Sequence, residues 1–191
     1  FGTAEGNSNP DIKGSRYLKD EFEKGEVYYG GKYMVKDVLL RYNLYDDVME
    51  FKTGNKIMNL DPSMNLNKVV IGDDAFINFK KTTDGISGFV KIRNSQFPSI
   101  VTKMKSKLLE KEAVQGFAEP KPVRFERQAD ENFLMKNDNE VERIKSLKKL
   151  IESLGDLQSE LSTYAKKEKI STNDPEELAK LLNYYNSLKV N

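Results

Sequence analysis

The chain has 191 residues, 38% hydrophobic and 32% charged, enough for one ordinary domain, or a domain with a small appendage, and too apolar for wholesale disorder. Its 31 Lys and Arg against 30 Asp and Glu leave a net charge of +1, so no global field is available to hold nucleic acid. Cysteine, histidine and tryptophan are absent, which removes disulfides, thiolate catalysis, Cys-based metal sites and the commonest general base and metal ligand.

Residues 1–13 are rich in Gly, Asn and Ser without periodicity and read as an extended N-terminal arm. From Ser15 to about Met135, short runs of Tyr, Val, Ile and Phe recur between turn clusters, the pattern of strands. Glu26–Tyr29 precedes a Gly30-Gly31 turn, and Tyr33–Val35, Val38–Tyr42 and Val48–Phe51 follow. Thr53-Gly54-Asn55 separates Val48–Phe51 from Lys56–Leu60. Gly72-Asp73-Asp74 separates Lys68–Ile71 from Ala75–Phe79, and Thr83-Asp84-Gly85 leads to Gly88–Ile92.

Ile100–Glu112 reads as one long strand with Ile100, Met104 and Leu108 on one face and Lys103, Lys105 and Lys107 on the other; an amphipathic helix is the competing reading. Val123–Arg127 and Phe133–Met135 complete the strands. Strands this close in sequence favour antiparallel meander pairing, because parallel pairing needs crossovers of about a dozen residues. The expected fold is α+β: an antiparallel β domain over 14–136, as a sandwich or partly closed barrel, then a helical subdomain over 137–191.

That last segment carries three helical patterns. Val141, Ile144, Leu147, Ile151 and Leu154 share one face, ended by Gly155. Leu157, Leu161, Tyr164 and Ala165 follow with Asp156 as the expected N-cap. Asp174, Pro175 and Glu177 open a third helix in capping-box form, with Leu178, Leu181, Leu182, Tyr185 and Leu188 as its apolar face.

No catalytic constellation emerges. There is no P-loop, no Gly-x-Ser-x-Gly elbow, and without His no Ser–His–Asp triad. Asp46-Asp47 and Asp73-Asp74 are adjacent carboxylates, which mark turns more readily than they face each other across a cleft. Asn137-Asp138-Asn139-Glu140 lacks the EF-hand pattern and reads as helix capping. No cofactor or metal is expected. From Lys91 to Glu112 six cations stand against Glu110 and Glu112, and Lys103, Lys105 and Lys107 head this basic stripe. It is either protection of a sheet edge or a contact for an acidic partner or anionic head groups. Tyr28, Tyr29, Tyr33, Tyr42 and Tyr45 are either strand-forming core residues or a binding surface. The candidates for partner binding are thus Lys103, Lys105, Lys107, Tyr28, Tyr29, Tyr42 and Tyr45.

Three stretches carry a resemblance: Gly14-Ser-Arg-Tyr-Leu-Lys-Asp-Glu-Phe22, Gly25-Glu-Val-Tyr28, and Arg41-Tyr-Asn-Leu-Tyr-Asp-Asp-Val-Met-Glu-Phe51. With the Leu178–Leu188 tail they resemble a group of uncharacterised exported envelope proteins of Bacteroidota. The resemblance implies a periplasmic or outer-membrane-associated protein made with a signal peptide, and a chain that opens at Phe1 suits its removal or a trimmed chain. It attaches no catalytic residues. The expected role is a non-catalytic accessory subunit of an outer-membrane β-barrel complex, such as a plug or cap of the type 9 secretion translocon. The alternatives are a small-ligand binder with a cavity among the strands, and an enzyme built on Asp, Glu, Lys and Tyr alone. No apolar run reaches the ~20 residues that span a bilayer.

Overall fold

A computed structural model describes residues 12–30, 33–80, 85–110, 122–138 and 140–189, without the side chain of Tyr33. The N-terminal arm as far as Asp11, the Thr83-Asp84 turn, Lys111 and Asn139 lie outside the described residues. The chain divides into two compact units, each built from two stretches of sequence: residues 1–74 with 104–129, and residues 75–103 with 130–191. The β stretch expected over 14–136 therefore supplies both units.

The first unit holds β1 (Glu23–Tyr29), β2 (Tyr33–Asn43), β3 (Val48–Thr53), β4 (Lys56–Asn59) and β5 (Leu66–Ile71). Their order is β5-β1-β2-β3-β4, all antiparallel. The two runs expected at Tyr33–Val35 and Val38–Tyr42 are one strand, interrupted by a bulge. Between Gly25 and Val27 on β1 one residue is skipped, and between Val38 and Val35 on β2 two are. Asp37 takes the left-handed conformation, at φ +56, that lets the extra residue fit. Alternation then gives the sheet two faces. Val27, Leu40, Tyr42, Met49 and Val69 point to the buried side and form the core of this unit with Leu44, Leu60 and Met104.

The second unit holds β6 (Asp74–Phe79), β7 (Gly88–Ile92), β8 (Ser99–Lys103), β11 (Glu131–Asn137) and β12 (Glu140–Arg143). Their order is β12-β11-β8-β7-β6, again antiparallel. Neither order closes on itself among the described residues, so the strands form open antiparallel sheets. The single strand expected over Ile100–Glu112 is two: β8 ends at Lys103, and β9 (Ser106–Leu109) pairs with β10 (Arg124–Arg127) in the first unit. The helical alternative for this segment is overturned with it.

The helices belong to the second unit. α1 (Leu147–Leu154) starts six residues later than the sequence pattern suggests. Val141 instead pairs with Met135 on a hairpin, and Asn137 turns that hairpin by accepting from Glu140 N–H at 3.0 Å, so Asn137 and Glu140 cap no helix. Ser146 caps α1 by accepting from Lys149 N–H at 3.3 Å, and Gly155 ends it as expected. α2 (Gln158–Lys167) begins after Leu157 in the left-handed region, not under an Asp156 cap. α3 (Pro175–Lys189) starts as the sequence predicts, Asp174 accepting from the N–H groups of Glu176 and Glu177 at 2.9 and 3.2 Å. The Glu177 carboxylate reaches Ser171 N–H at 2.7 Å, however, and does not close the reciprocal bond of a capping box.

The apolar faces of the three helices converge. Leu150, Ile151, Leu161, Leu178, Leu181, Leu182 and Tyr185 bury together with Ile100 of β8 and Leu134 of β11. A polar link runs beside this core. Arg93, 8% exposed, donates to Thr102 Oγ1 at 3.0 Å and to Glu176 of α3 at 2.8 Å, and lies 3.7 Å from Asp130. Thr102 donates to Asn132, which in turn donates to Thr172 O at 3.1 Å. No helix among the described residues is long and apolar enough to cross a membrane.

Candidate functional site

The outer face of the first unit's sheet carries Arg41, Asn43 and Glu50 at one end, and this end is occupied. Arg41 reaches Glu50 Oε2 from Nε at 3.2 Å and from Nη2 at 2.6 Å, and donates from Nη1 to Asp20 O at 2.9 Å. The rings of Tyr17 and Phe22 lie 3.6 and 4.3 Å from its guanidinium. Asn43 Nδ2 donates to Glu50 Oε1 at 3.1 Å and to Asp46 at 2.8 Å, so both oxygens of the buried Glu50 are engaged.

Segment 14–22 is what brings those rings. Leu18 N–H bonds Tyr42 O at 2.9 Å and Leu44 N–H bonds Arg16 O at 2.7 Å, continuing the ladder alongside β2. Gly14 is required at its entry: φ is +77°, and a Cβ there would sit 2.3 Å from Phe125 O. The stretches Gly14–Phe22 and Arg41–Phe51, read separately in the sequence, thus meet in space. Glu50, Asp46 and Asp47 are committed to structure. Asp46 serves Asn43, and Asp47 Oδ1 accepts from Tyr42 O–H at 2.6 Å. Burial first, then the Asp47 charge, holds the Tyr42 phenol far above its usual range, so it stays neutral.

The other end of the same face is open. Register puts Tyr28 across from Met34 on one side and Lys68 on the other. Lys24 stands opposite Leu39, Leu39 opposite Lys52, and Lys52 opposite Ile57. Met34 and Leu39 are 37% and 38% exposed. Lys36 lies 3.8 Å from Glu26 and Lys24 lies 3.9 Å from Asp37, both loose surface pairs. Lys68 Nζ sits 4.5 Å over the Tyr28 ring. Tyr28 O–H also donates to Glu26, whose carboxylate is the main cause of the raised phenol pKa. Four lysines against Glu26 and Asp37 leave two positive charges in excess, interleaved with apolar and aromatic surface.

The residues singled out in the sequence are scattered by comparison. Lys103 is a correction: it is buried on β8, its ammonium donating to Phe89 O at 3.1 Å. Lys105 and Lys107 are exposed in the first unit, where Lys107 pairs with Glu126 on β10. The three lysines therefore share no face. Tyr42 is buried at 2% exposure and points to the core. Tyr45 is exposed and packs edge-on against Phe125 at 5.3 Å, with Arg16 over both rings. Of the early tyrosines, Tyr28 lies on the open basic face, and Tyr29 is half-buried beside Leu66. Sequence reading missed Lys24, Lys36, Lys52 and Lys68, although the alternation Lys24, Glu26, Tyr28 was a usable signal.

Among the described residues no three Asp or Glu converge as a metal site. No family model, no curated protein and no solved structure matches the chain.

Proposed function

We propose that this chain is a non-catalytic interaction protein of the cell envelope, an accessory subunit that docks an acidic surface of an outer-membrane β-barrel complex. The observation that carries the reading is the open half of the β1–β2–β3–β5 face, where Lys24, Lys36, Lys52 and Lys68 surround Tyr28, Met34 and Leu39. Lysines give steering and register, and the exposed apolar and aromatic groups give area that gains energy on burial. The carboxylates beside it, Glu26 and Asp37, pair with Lys36 and Lys24, and Glu50, Asp46 and Asp47 at the occupied end are held by Arg41, Asn43 and Tyr42, which supports a role without acid–base chemistry. The envelope placement rests on the resemblance of the Gly14–Phe22 and Arg41–Phe51 stretches.

Affinity capture from detergent-solubilised envelopes, wild type beside a Lys36→Glu/Lys52→Glu variant, tests this. One barrel component should be recovered in stoichiometric amount, weaken with added salt, and disappear with the charge reversal. Recovery that is indifferent to the reversal, or none at all, rules the face out.

A further inference from the structure

α1 and α2 flank an open groove of about 550 Å³ in the second unit. That volume lies inside the ~300–1,000 Å³ range of small-molecule sites. Its floor is aliphatic: Leu147 and Ile151 from α1, Ala165 from α2 and Ile170 from just beyond its end. Its rim is cationic. Lys148 stands 3.8 Å from Glu152, while Lys166 and Lys169 form no side-chain ion pair with any described residue.

The way Lys169 is held adds a second observation. Its N–H bonds Lys166 O at 3.3 Å, and the next N–H, of Ile170, bonds Ala165 O at 3.0 Å. These are the two bonds of a Schellman motif, with Lys169 at the position where φ must be positive, here +55°. Glycine suits that position and a lysine strains it. The motif folds Ile170 back onto Ala165 to complete the floor, and the strained residue carries an ammonium at the rim. An aliphatic floor beside two cations that have no ion pair among the described residues fits a ligand with one apolar chain and one negative head.

We infer that this groove binds a single-chain anionic amphiphile, a fatty acid, its chain on Leu147, Ile151, Ala165 and Ile170 and its carboxylate between Lys166 and Lys169. The site is independent of the basic sheet face, and neither reading depends on the other.

Titration calorimetry of the full chain with dodecanoate, kept below its micelle concentration, tests the inference. Saturable binding at one site is expected, with dodecyltrimethylammonium, of equal chain length and opposite charge, binding at least tenfold more weakly. Lys169→Gly separates binding from folding, because it relieves the left-handed lysine while deleting the ammonium. It should raise the thermal midpoint and weaken dodecanoate at least tenfold. Lys166→Ala should weaken it comparably. Failure to saturate, equal binding of the cationic amphiphile, or undiminished affinity in Lys169→Gly each overturns the proposal.

Discussion

Arg41 and Glu50 form a buried ion pair in the first unit. Their side chains are 12% and 5% exposed and 2.6 Å apart, and the rings of Tyr17 and Phe22 both lie against the guanidinium, at 3.6 and 4.3 Å. A buried pair of this kind contributes little against an apolar replacement, but removing one member strands the other. Glu50→Ala should therefore cost about 3 kcal/mol, read as a lower urea midpoint with unchanged slope. Because the same guanidinium holds Asp20 O, the 14–22 segment should loosen in parallel, seen as faster amide exchange at Leu18. A midpoint within experimental error of wild type would show that the segment is held by its backbone bonds alone. Lys103 teaches the opposite lesson about single residues. Placed in a basic run it reads as a surface charge, yet its stem fills the sheet interior and its head finds a carbonyl.

At the scale of elements, the loop between α1 and α2 shows how one residue can be read correctly as structural and wrongly in role. Asp156 has the chemistry of an N-cap, but it accepts from Tyr185 O–H at 2.9 Å and from Lys189 Nζ at 3.1 Å, tying the end of α3 to this loop. Those bonds, Tyr185 first and Lys189 second, hold its carboxyl below the usual range. A depressed folded pKa means a contribution that is complete above the unfolded value, ~3.9, and lost as pH falls through the lower folded value. Asp156→Asn should therefore be less stable than wild type at neutral pH, and the gap should close on acidification below that unfolded value. Thermal melts across pH 2 to 7 measure it, and a gap that is constant with pH would remove the ionic role.

What the sequence made legible follows from how local each signal is. The Gly54 turn, the Gly155 stop and the Asp174-Pro175 start of α3 depend on backbone chemistry within a few residues, and all three stand as read. The start of α1 did not, because Val141 and Ile144 fit a helical spacing as well as a short strand. Only the pairing of Val141 with Met135 decides between them. The break after Lys103 and the bulge at Asp37 were equally hidden. Each changes which side chains share a face, so the basic surface on β1, β2, β3 and β5 emerges only once register is known.

At the scale of the whole molecule, the chain passes between its two units three times, at 74/75, 103/104 and 129/130. Such interleaving makes the helical segment inseparable from strands that precede it. Ile100 and Leu134, almost completely buried, share one cluster with Leu150, Leu161, Leu178, Leu181 and Leu182 of the helices. Five buried leucines at roughly 1.5–3 kcal/mol each amount to about 7–15 kcal/mol, the whole stability of an ordinary domain. A chain ending at Lys136 loses all five and leaves Ile100, Leu134 and the Asn132 amide facing solvent. It should express as an aggregate or as a compact state without fixed packing, binding ANS and melting without a cooperative transition. The full chain should melt sharply and bind little dye under the same conditions. A cooperative melt with dispersed amide resonances from the shortened chain would instead mean that β6, β7, β8 and β11 hold their packing without the helices, and would make residues 137–191 an appendage in the energetic sense.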